Sequence, residues 1–176
     1  MANYVYIATS LDGFIARKDG AIDWLDNIPN PTNSDYGYYA FMAGIDCHLI
    51  GRGTYEVVLG FNPWPYTKPV FVLSRTLTGP LAGGAELINA SPRDAVASLH
   101  ARGLKNIYVD GGVTIQGFLR EDLIDEMIIT RIPIVLGSGL PLFGKCGEIP
   151  FQHLKTEVFD DMLVKSRYTR KKAPEV

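Results

Sequence analysis

Residues 108–119 read YVDGGVTIQGFL, and this stretch gives the first indication of the fold. The apolar run at 106–110 has the length and composition of a buried strand, and it ends in the adjacent glycines Gly111 and Gly112. A helix-like segment, Val113 to Leu119, follows at once. A strand that runs directly into a helix is typical of α/β proteins with a parallel sheet.

The rest of the chain continues this alternation. Strands are predicted at 3–9, 47–51, 70–74, 85–88 and 106–110, within 123–135, and as a terminal hairpin over 155–170. Helices are predicted from Ser34 or Asp35 to Ala43, over Thr54–Leu59, from Ser91 to Arg102 and over Val113–Leu119. Residues 10–25, 61–69 and 136–144 are predicted loops, and 171–176 are predicted to fray. The pattern indicates one α/β domain over 1–176, with a mostly parallel sheet and an antiparallel C-terminal hairpin.

Composition narrows the possible partners. The chain has 176 residues, a formal net charge of −2 and a pI near 5.9, which argues against a nucleic-acid or anionic-membrane surface. Its two cysteines, Cys47 and Cys146, lie in no metal-binding or paired motif, so we expect free thiols, no disulfide and no metal site. No segment reads as a signal peptide or a membrane span, which predicts a soluble cytoplasmic protein.

Two strand-to-helix junctions carry residues suited to an anion. Besides Gly111-Gly112, the stretch LIGRGTYE at 49–56 places Gly51, Arg52, Gly53 and Thr54 at the end of a strand. A helix N-terminus offers unpaired N–H groups and partial positive charge, and glycine lets a phosphate approach the backbone. Two such junctions on neighbouring strands could hold the two ends of a pyrophosphate. The alternative for the glycine pair is a tight turn with close helix–strand packing.

A third strand end adds a hydroxyl and a cation. In VLSRT, at 72–76, Ser74 and Arg75 follow an apolar strand. They could meet an additional phosphate, such as the 2′-phosphate that separates NADPH from NADH. An ordinary polar turn is the alternative interpretation.

These motifs carry a family resemblance. The chain resembles the dihydrofolate reductase superfold and, more closely, the reductase domain of the bifunctional riboflavin-biosynthesis deaminase-reductase. The matching pieces are TSLDGFIA (9–16), LIGRGTYE (49–56), VLSR (72–75), VDGGVTIQGFL (109–119) and VLGSGLPLF (135–143). They occur in the family's order and span nearly the whole chain. The resemblance implies a three-layer dihydrofolate reductase-like α/β fold and NADPH as the cofactor.

The resemblance also assigns cofactor residues. The phosphate candidates are Gly51, Arg52, Gly53, Thr54, Gly111, Gly112, Val113 and Thr114, with Ser74 and Arg75 for the adenosine phosphate. Ile7, Ala8 and Ile15 would flank the nicotinamide.

Candidates on the substrate side are fewer. The acidic residue that binds the pterin in dihydrofolate reductases corresponds to Asp35, sixteen residues before Gly51, and Tyr39 is the next aromatic of that helix. Asp35 is equally a natural N-cap. The S-L-D-G motif adds Asp12, which could meet the substrate, order the loop or form an Asx-turn. Trp24 belongs to a group of aromatics that suits a flat heterocycle, a dimer interface or the core.

The resemblance therefore implies a reductase. It would transfer a hydride from NADPH to a pyrimidine- or pterin-like substrate, with Asp35 and Asp12 as catalytic candidates and Trp24 and Tyr39 as substrate contacts. The first candidate reaction is the 5-amino-6-(5-phosphoribosylamino)uracil reductase step of riboflavin biosynthesis. A dihydrofolate reductase-like activity, or a nucleotide- or flavin-binding module without turnover, is the alternative. Reductases of this family are commonly dimers, so the resemblance also implies a homodimer.

Overall fold

The secondary structure comes from a computed structural model that describes residues 1–171; within that range it contains ten strands and five α-helices. The strands are β1 (Ala2–Thr9), β2 (Phe14–Ala16), β3 (Cys47–Gly51), β4 (Val70–Leu73), β5 (Glu86–Ile88), β6 (Asn106–Asp110), β7 (Glu126–Arg131), β8 (Leu140–Pro141), β9 (Phe151–Phe159) and β10 (Leu163–Arg170). The helices are α1 (Asp23–Asp26), α2 (Tyr38–Ala43), α3 (Arg52–Val58), α4 (Pro92–Ala101) and α5 (Gly112–Arg120).

Eight strands form one sheet in the order β5-β4-β3-β6-β1-β7-β10-β9. All neighbours from β5 to β7 run parallel, whereas β10 pairs antiparallel with both β7 and β9. Parallel strands need crossover connections, and helices α3, α4 and α5 lie in those that follow β3, β5 and β6. The predicted mostly parallel sheet with an antiparallel C-terminal hairpin is confirmed.

Helices cover both faces of this sheet, as alternating strand residues require. On one face, Leu49 of β3 packs in the same core cluster as Leu99 of α4 and Ile115 of α5. On the other face, the next residue, Ile50, packs with Tyr55 of α3. The three layers predicted from the family resemblance are therefore present.

Short-range signals set the ends of α4. Ser91 precedes the helix, and its Oγ accepts the N–H of Asp94 at 3.1 Å. Pro92 occupies the first helical position, where its missing N–H costs nothing. The predicted start at Ser91-Pro92 is therefore confirmed.

Two segments predicted as loops contain short strands, so that prediction is wrong in part. Residues 10–25 include β2 and the start of α1, and residues 136–144 include β8. Strands β2 and β8 pair antiparallel with each other. Strands of three and two residues show no local periodicity, and the pairing joins segments more than 120 residues apart.

Helix α2 begins at Tyr38, later than the predicted start at Ser34 or Asp35. Tyr36 and Gly37 adopt left-handed conformations, with φ of 50° and 84°, and a helix cannot run through them. Asp35 therefore lies outside the helix while remaining close to its first turn.

Of residues 171–176, which were predicted to fray, the structure describes only Lys171. Lys171 donates its N–H to the carbonyl of Pro150 at 3.1 Å, and 172–176 lie outside the described residues. Among the helices of residues 1–171, none combines the length and apolarity that crossing a membrane requires.

Candidate functional site

The central strands part at their carboxyl ends. The ladder between β1 and β6 ends at the pair Tyr4–Tyr108, although β1 continues to Thr9 and β6 to Asp110. The hydroxyl of Tyr108 donates to the Tyr6 carbonyl at 2.6 Å, which satisfies an acceptor released where the ladder ends. Ligands of open α/β sheets bind at such carboxyl edges.

The two glycine junctions are neighbours at this edge. The register of β3 with β6 pairs Ile50 with Asp110, so the next residues, Gly51 and Gly111, lie side by side. A Cβ placed on Gly111 would come within 2.5 Å of Thr54 Oγ1. A Cβ on Gly51 would collide with the hydroxyl of Thr114. The first turns of α3 and α5 thus interlock reciprocally, each threonine hydroxyl filling the space above the other junction's glycine.

This packing gives the glycine pair a structural role. Gly111 has a φ of 97°, which side chains rarely adopt. A Cβ on Gly112 would lie 2.9 Å from Ile15 Cδ1 and 3.3 Å from the Pro141 carbonyl. Both glycines are therefore closely packed, as in the alternative interpretation of a tight turn with close helix–strand packing.

Open space lies one residue further along each helix. A Cβ on Gly53 would meet no atom within 4 Å. Val113, the second residue of α5, is 83% exposed although it is apolar. The first turns of both helices therefore have an open side, next to the backbone N–H groups that a helix start leaves without intrahelical partners.

The third candidate strand end adjoins the first two. The register pairs Leu73 of β4 with Gly51, so Ser74 follows beside the start of α3. Ser74 Oγ accepts the N–H of Thr76 at 3.2 Å, which closes a turn. The Arg52 guanidinium donates to Thr76 Oγ1 at 3.1 Å and to Glu56 at 2.6 Å. Arg75 is exposed and has no carboxylate within 4.0 Å among residues 1–171.

The predicted nicotinamide neighbours lie on two elements. Ile7 and Ala8 are partly buried residues of β1 beyond the point where β6 departs, and they pack into clusters on opposite faces of the sheet. Ile15 lies on β2 and contacts the start of α5 at Gly112. The fold therefore brings Ile15 to the glycine junction.

Asp12 connects two loops. Its Oδ1 accepts the Ser10 hydroxyl at 2.6 Å and the N–H of Leu136 at 3.1 Å, and its Oδ2 accepts the N–H of Gly137 at 2.8 Å. The Ser10 hydrogen bond, followed by those from the two backbone groups, lowers the pKa of Asp12. These contacts correspond to the loop-ordering role that the sequence left open.

Asp35 makes the contacts of a helix cap. Its Oδ2 accepts the N–H of Tyr39 at 2.8 Å, and its Oδ1 accepts that of Gly37 at 3.0 Å. These two hydrogen bonds lower the pKa of the Asp35 carboxyl, the Tyr39 bond being the stronger cause. A lowered pKa disfavours the protonated form, which a general acid needs at neutral pH.

The two predicted substrate aromatics are far from equivalent. Trp24 is 2% exposed and packs in one core cluster with Ile132 and Leu163. Tyr39 is 76% exposed on α2. Trp24 lies on α1, within the segment predicted as a loop, and its role as a substrate contact stays a prediction.

Sequence reasoning missed Asp110. This partly buried carboxyl ends β6 immediately before the glycine pair, and its Oδ1 accepts the Gly111 N–H at 2.8 Å. Burial raises the pKa of Asp110 from 3.8 to about 6, and the Gly111 hydrogen bond offsets part of that rise. An acid at the carboxyl end of an otherwise apolar central strand was the available signal.

Aromatic rings surround this carboxyl on the α2 side of the sheet. The Asp110 charge contributes to raising the pKa values of Tyr38, Tyr66 and Tyr108, after burial. Buried His48 lies between Tyr66 and Tyr108, with ring centroids at 4.4 and 5.2 Å. Burial, assisted by Lys68, lowers the pKa of His48 to about 4, which keeps the imidazole neutral at physiological pH. The result is a largely uncharged aromatic wall around one titratable acid.

Sheet order, layering and the parted strands together define a dihydrofolate reductase-like α/β protein. The chain belongs to the RibD C-terminal domain family, whose model matches residues 4–165. Family membership was expected from the ordered motifs and is confirmed.

Three known proteins illustrate the range of similarity. The uncharacterized protein YwjB of Bacillus subtilis (strain 168) is 42% identical over 142 residues, covering 79% of this chain and 80% of YwjB. A crystallised Shewanella sp. PV-4 protein, provisionally assigned to riboflavin biosynthesis, is 51% identical with a TM-score of 0.93, covering 98% of this chain and 100% of that one. Dihydrofolate reductase from Enterococcus faecalis, complexed with NADP(H) and RAB-propyl, is 15% identical with a TM-score of 0.66, covering 97% of each chain. That last similarity shows the shared fold.

Proposed function

We propose that this protein is an NADPH-dependent reductase that transfers a hydride to a pyrimidine- or pterin-like heterocycle. The observation that carries the proposal is the pair of interlocked helix starts beside the gap between β1 and β6. Membership of the RibD C-terminal domain family supports a reductase-type role. The Enterococcus faecalis protein of the same fold was crystallised with NADP(H), which supports the choice of cofactor.

The helix starts fit a pyrophosphate. Gly51 and Gly111 allow the first turns of α3 and α5 to lie side by side, and the backbone N–H groups of Gly53, Val113 and Thr114 would donate to phosphate oxygens. Both helix dipoles add positive potential at the same edge.

A further phosphate on the adenosine would meet the third strand end. Arg75 is free of carboxylates among residues 1–171, and Ser74 and Arg52 lie on adjoining turns. Arginine binds phosphate through a planar fork of donors, and its charge does not depend on pH. This set of residues favours NADPH over NADH.

The nicotinamide supplies the hydride when the cofactor is bound. Ile7 and Ala8 would form one wall where β1 departs from β6, and Ile15 would close over the start of α5. Apolar walls of this kind exclude water and orient the ring.

We assign the role of proton donor to Asp110, which ends β6 beside the glycine pair. Its raised pKa keeps a fraction of the carboxyl protonated near neutral pH, whereas Asp12 and Asp35 have lowered pKa values and already bind backbone N–H groups. Protonating a ring nitrogen makes the neighbouring carbon a better hydride acceptor. Asp35 remains a hypothesis as a substrate anchor, as does the exposed Tyr39 as a substrate contact.

The specific reaction we favour is the 5-amino-6-(5-phosphoribosylamino)uracil reductase step of riboflavin biosynthesis. The riboflavin assignment of the Shewanella protein and the family itself support it.

Calorimetric titration of the purified protein with NADPH, NADH and FMN tests the proposal. We expect tight binding of NADPH, weaker binding of NADH and none of FMN. A subsequent screen of dihydrofolate and the riboflavin-pathway pyrimidine, followed by loss of NADPH absorbance, identifies the substrate class. Failure to bind NADPH overturns the cofactor site. Tight binding without turnover on either substrate would identify a nucleotide-binding module instead.

A further inference from the structure

Two apolar clusters on the α2 face of the sheet flank a short row of polar side chains. One cluster contains Tyr38 of α2 and Tyr108 of β6, and the other contains Tyr66, which lies in the loop after α3. Buried His48 of β3 joins the two, because its ring centroid lies 4.4 Å from that of Tyr66 and 5.2 Å from that of Tyr108. Asp110 is on the same face, two residues beyond Tyr108 on β6. The polar row therefore reaches the carboxyl edge of the sheet.

Tyr38 is held beside the gap between β1 and β6. Its ring centroid lies 5.6 Å from that of Tyr6, the β1 residue whose carbonyl accepts the Tyr108 hydroxyl where the ladder ends. The Tyr6 hydroxyl and the Lys165 ammonium both donate to the carbonyl of Tyr36, at 3.1 and 2.7 Å. These two hydrogen bonds fix the segment that leads into α2, so strand and hairpin together set the position of Tyr38.

Polar atoms along this row lack hydrogen-bond partners within residues 1–171. Neither ring nitrogen of His48 has one, although the residue is only 1% exposed. The hydroxyls of Tyr38 and Tyr66 and the Oδ2 atom of Asp110 form no hydrogen bond in this range either. Buried polar groups almost always find a partner in the protein, in water or in a ligand. A polar molecule between the two clusters would supply partners to all four side chains.

The groups near the carboxyl edge are suited to donate hydrogen bonds. Burial, followed by the Asp110 charge, raises the pKa of Tyr38 and of Tyr66, so both phenols keep their protons at neutral pH. The protonated form of the Asp110 carboxyl donates through its O–H. A ring edge that matches these donors is rich in acceptors, namely carbonyl oxygens and unprotonated ring nitrogens. Pyrimidine and pterin rings carry both kinds of acceptor, and their flat faces suit the aromatic walls.

We propose that Tyr38 and Tyr66 determine substrate specificity by donating their hydroxyls to acceptor atoms on one edge of a pyrimidine- or pterin-like ring. The inference rests on the proposed function, since it concerns the heterocycle of that same site. It favours Tyr38 over its neighbour Tyr39, which is 76% exposed.

Fluorine NMR of the full-length protein labelled with 3-fluorotyrosine tests the contact. The nine tyrosines give one signal each, and single Tyr→Phe variants assign the signals. The probes are 5,6-diaminouracil and pterin, the bare ring systems of the two candidate substrates, at millimolar concentration. We expect the signals of Tyr38 and Tyr66 to shift and the signal of Tyr4 to stay. Tyr4 is the control because it lies on β1 before the gap, where the ladder with β6 is intact.

Calorimetry with the same two probes measures the contribution of each hydroxyl. Tyr38→Phe and Tyr66→Phe should each weaken binding about fivefold, because each variant loses one hydrogen bond and keeps the aromatic ring. Tyr4→Phe, the matched control, should leave the affinity unchanged.

Three results would overturn the proposal. One is the absence of a shift in the Tyr38 and Tyr66 signals with both probes, and another is full affinity in either Phe variant. The third is a shift confined to Tyr39, which would make that residue the ring contact. A parallel titration with NADPH separates this inference from the reductase proposal. A protein that binds NADPH but neither ring keeps its cofactor site and loses this one, whereas ring-induced shifts without NADPH binding keep the ring site and overturn the reductase.

Discussion

The hydroxyl of Thr54 occupies the space in which a side chain on Gly111 would lie, since a Cβ built there comes within 2.5 Å of Thr54 Oγ1. The two residues belong to different strand-to-helix junctions, 57 positions apart in the chain. Their contact, together with its counterpart between Gly51 and Thr114, sets how closely the starts of α3 and α5 approach. The spacing of the amides proposed to bind phosphate depends on it.

Gly111→Ala should therefore destabilise the protein by about 2–4 kcal/mol, because it adds a steric conflict to an unfavourable backbone angle. Gly103→Ala is the control, since Gly103 has a positive φ of 84° but no atom within 4 Å of its Cβ position. It should cost about 1–2 kcal/mol. Adding Thr54→Ala to Gly111→Ala should recover part of the loss in urea unfolding. Equal costs at the two glycines would contradict the interlock.

Gly53→Asp should weaken NADPH binding without destabilising the fold. An acid in the first turn of α3, where there is room for it, should leave the free energy of unfolding unchanged or raise it by roughly 0.5–1 kcal/mol. The same carboxylate should weaken NADPH binding by at least about tenfold, because it repels phosphate. Gly53→Asn provides an uncharged side chain of the same shape. If calorimetry gives the Asp and Asn variants equal affinities for NADPH, the phosphate does not bind at this position. Gly112 is less suitable, since any side chain there meets Ile15.

Replacing Arg52 and Arg75 together by alanine should reduce the preference for NADPH over NADH. The measurement is the ratio of the two dissociation constants, with Arg120→Ala, at the far end of α5, as the control. Arg75→Ala alone should account for most of the loss, because Arg52 is already engaged by Glu56. An unchanged ratio in the double variant would place the adenosine phosphate elsewhere.

Asp110→Asn should stabilise the protein at neutral pH. The folded-state pKa of Asp110 is raised from 3.8 to about 6, so its contribution to stability is present below pH 3.8 and is lost as pH rises through 6. Asparagine does not ionise, so the variant does not lose stability in this way as pH rises. We expect the variant to gain about 1–3 kcal/mol over the parent between pH 4 and pH 7, measured by urea unfolding. A difference that does not vary with pH would mean that the carboxyl titrates normally.

The same substitution tests the proton donor. If Asp110 supplies the proton, the rate constant for substrate reduction falls as pH rises above about 6, and Asp110→Asn abolishes this dependence. Asp35→Asn should retain the pH profile, because Asp35 binds the backbone of its own helix. If Asp35→Asn abolishes the pH dependence and Asp110→Asn retains it, the proton donor is Asp35 and not Asp110.

Many residues of the candidate site could be predicted from the sequence, because their positions depend on local signals. Apolar runs ending in glycine located the carboxyl ends of β3 and β6, and Ser91-Pro92 located the start of α4. Parallel pairing then brings strand ends to one edge of a sheet, so the sequence alone predicts the candidate phosphate residues. The family resemblance rested on these same motifs.

The sequence by itself thus determined the strands and helices that alternate through the sheet, and which strand ends carry the candidate ligand-binding residues. The tertiary structure decided what each of those residues touches. The Thr54–Gly111 contact, the pairing of β2 with β8 and the burial of Trp24 all join segments distant in the chain. The pKa of Asp110 depends on how much water its neighbours exclude. Steric contact and desolvation are properties of the assembled fold, and no local pattern of residues records them.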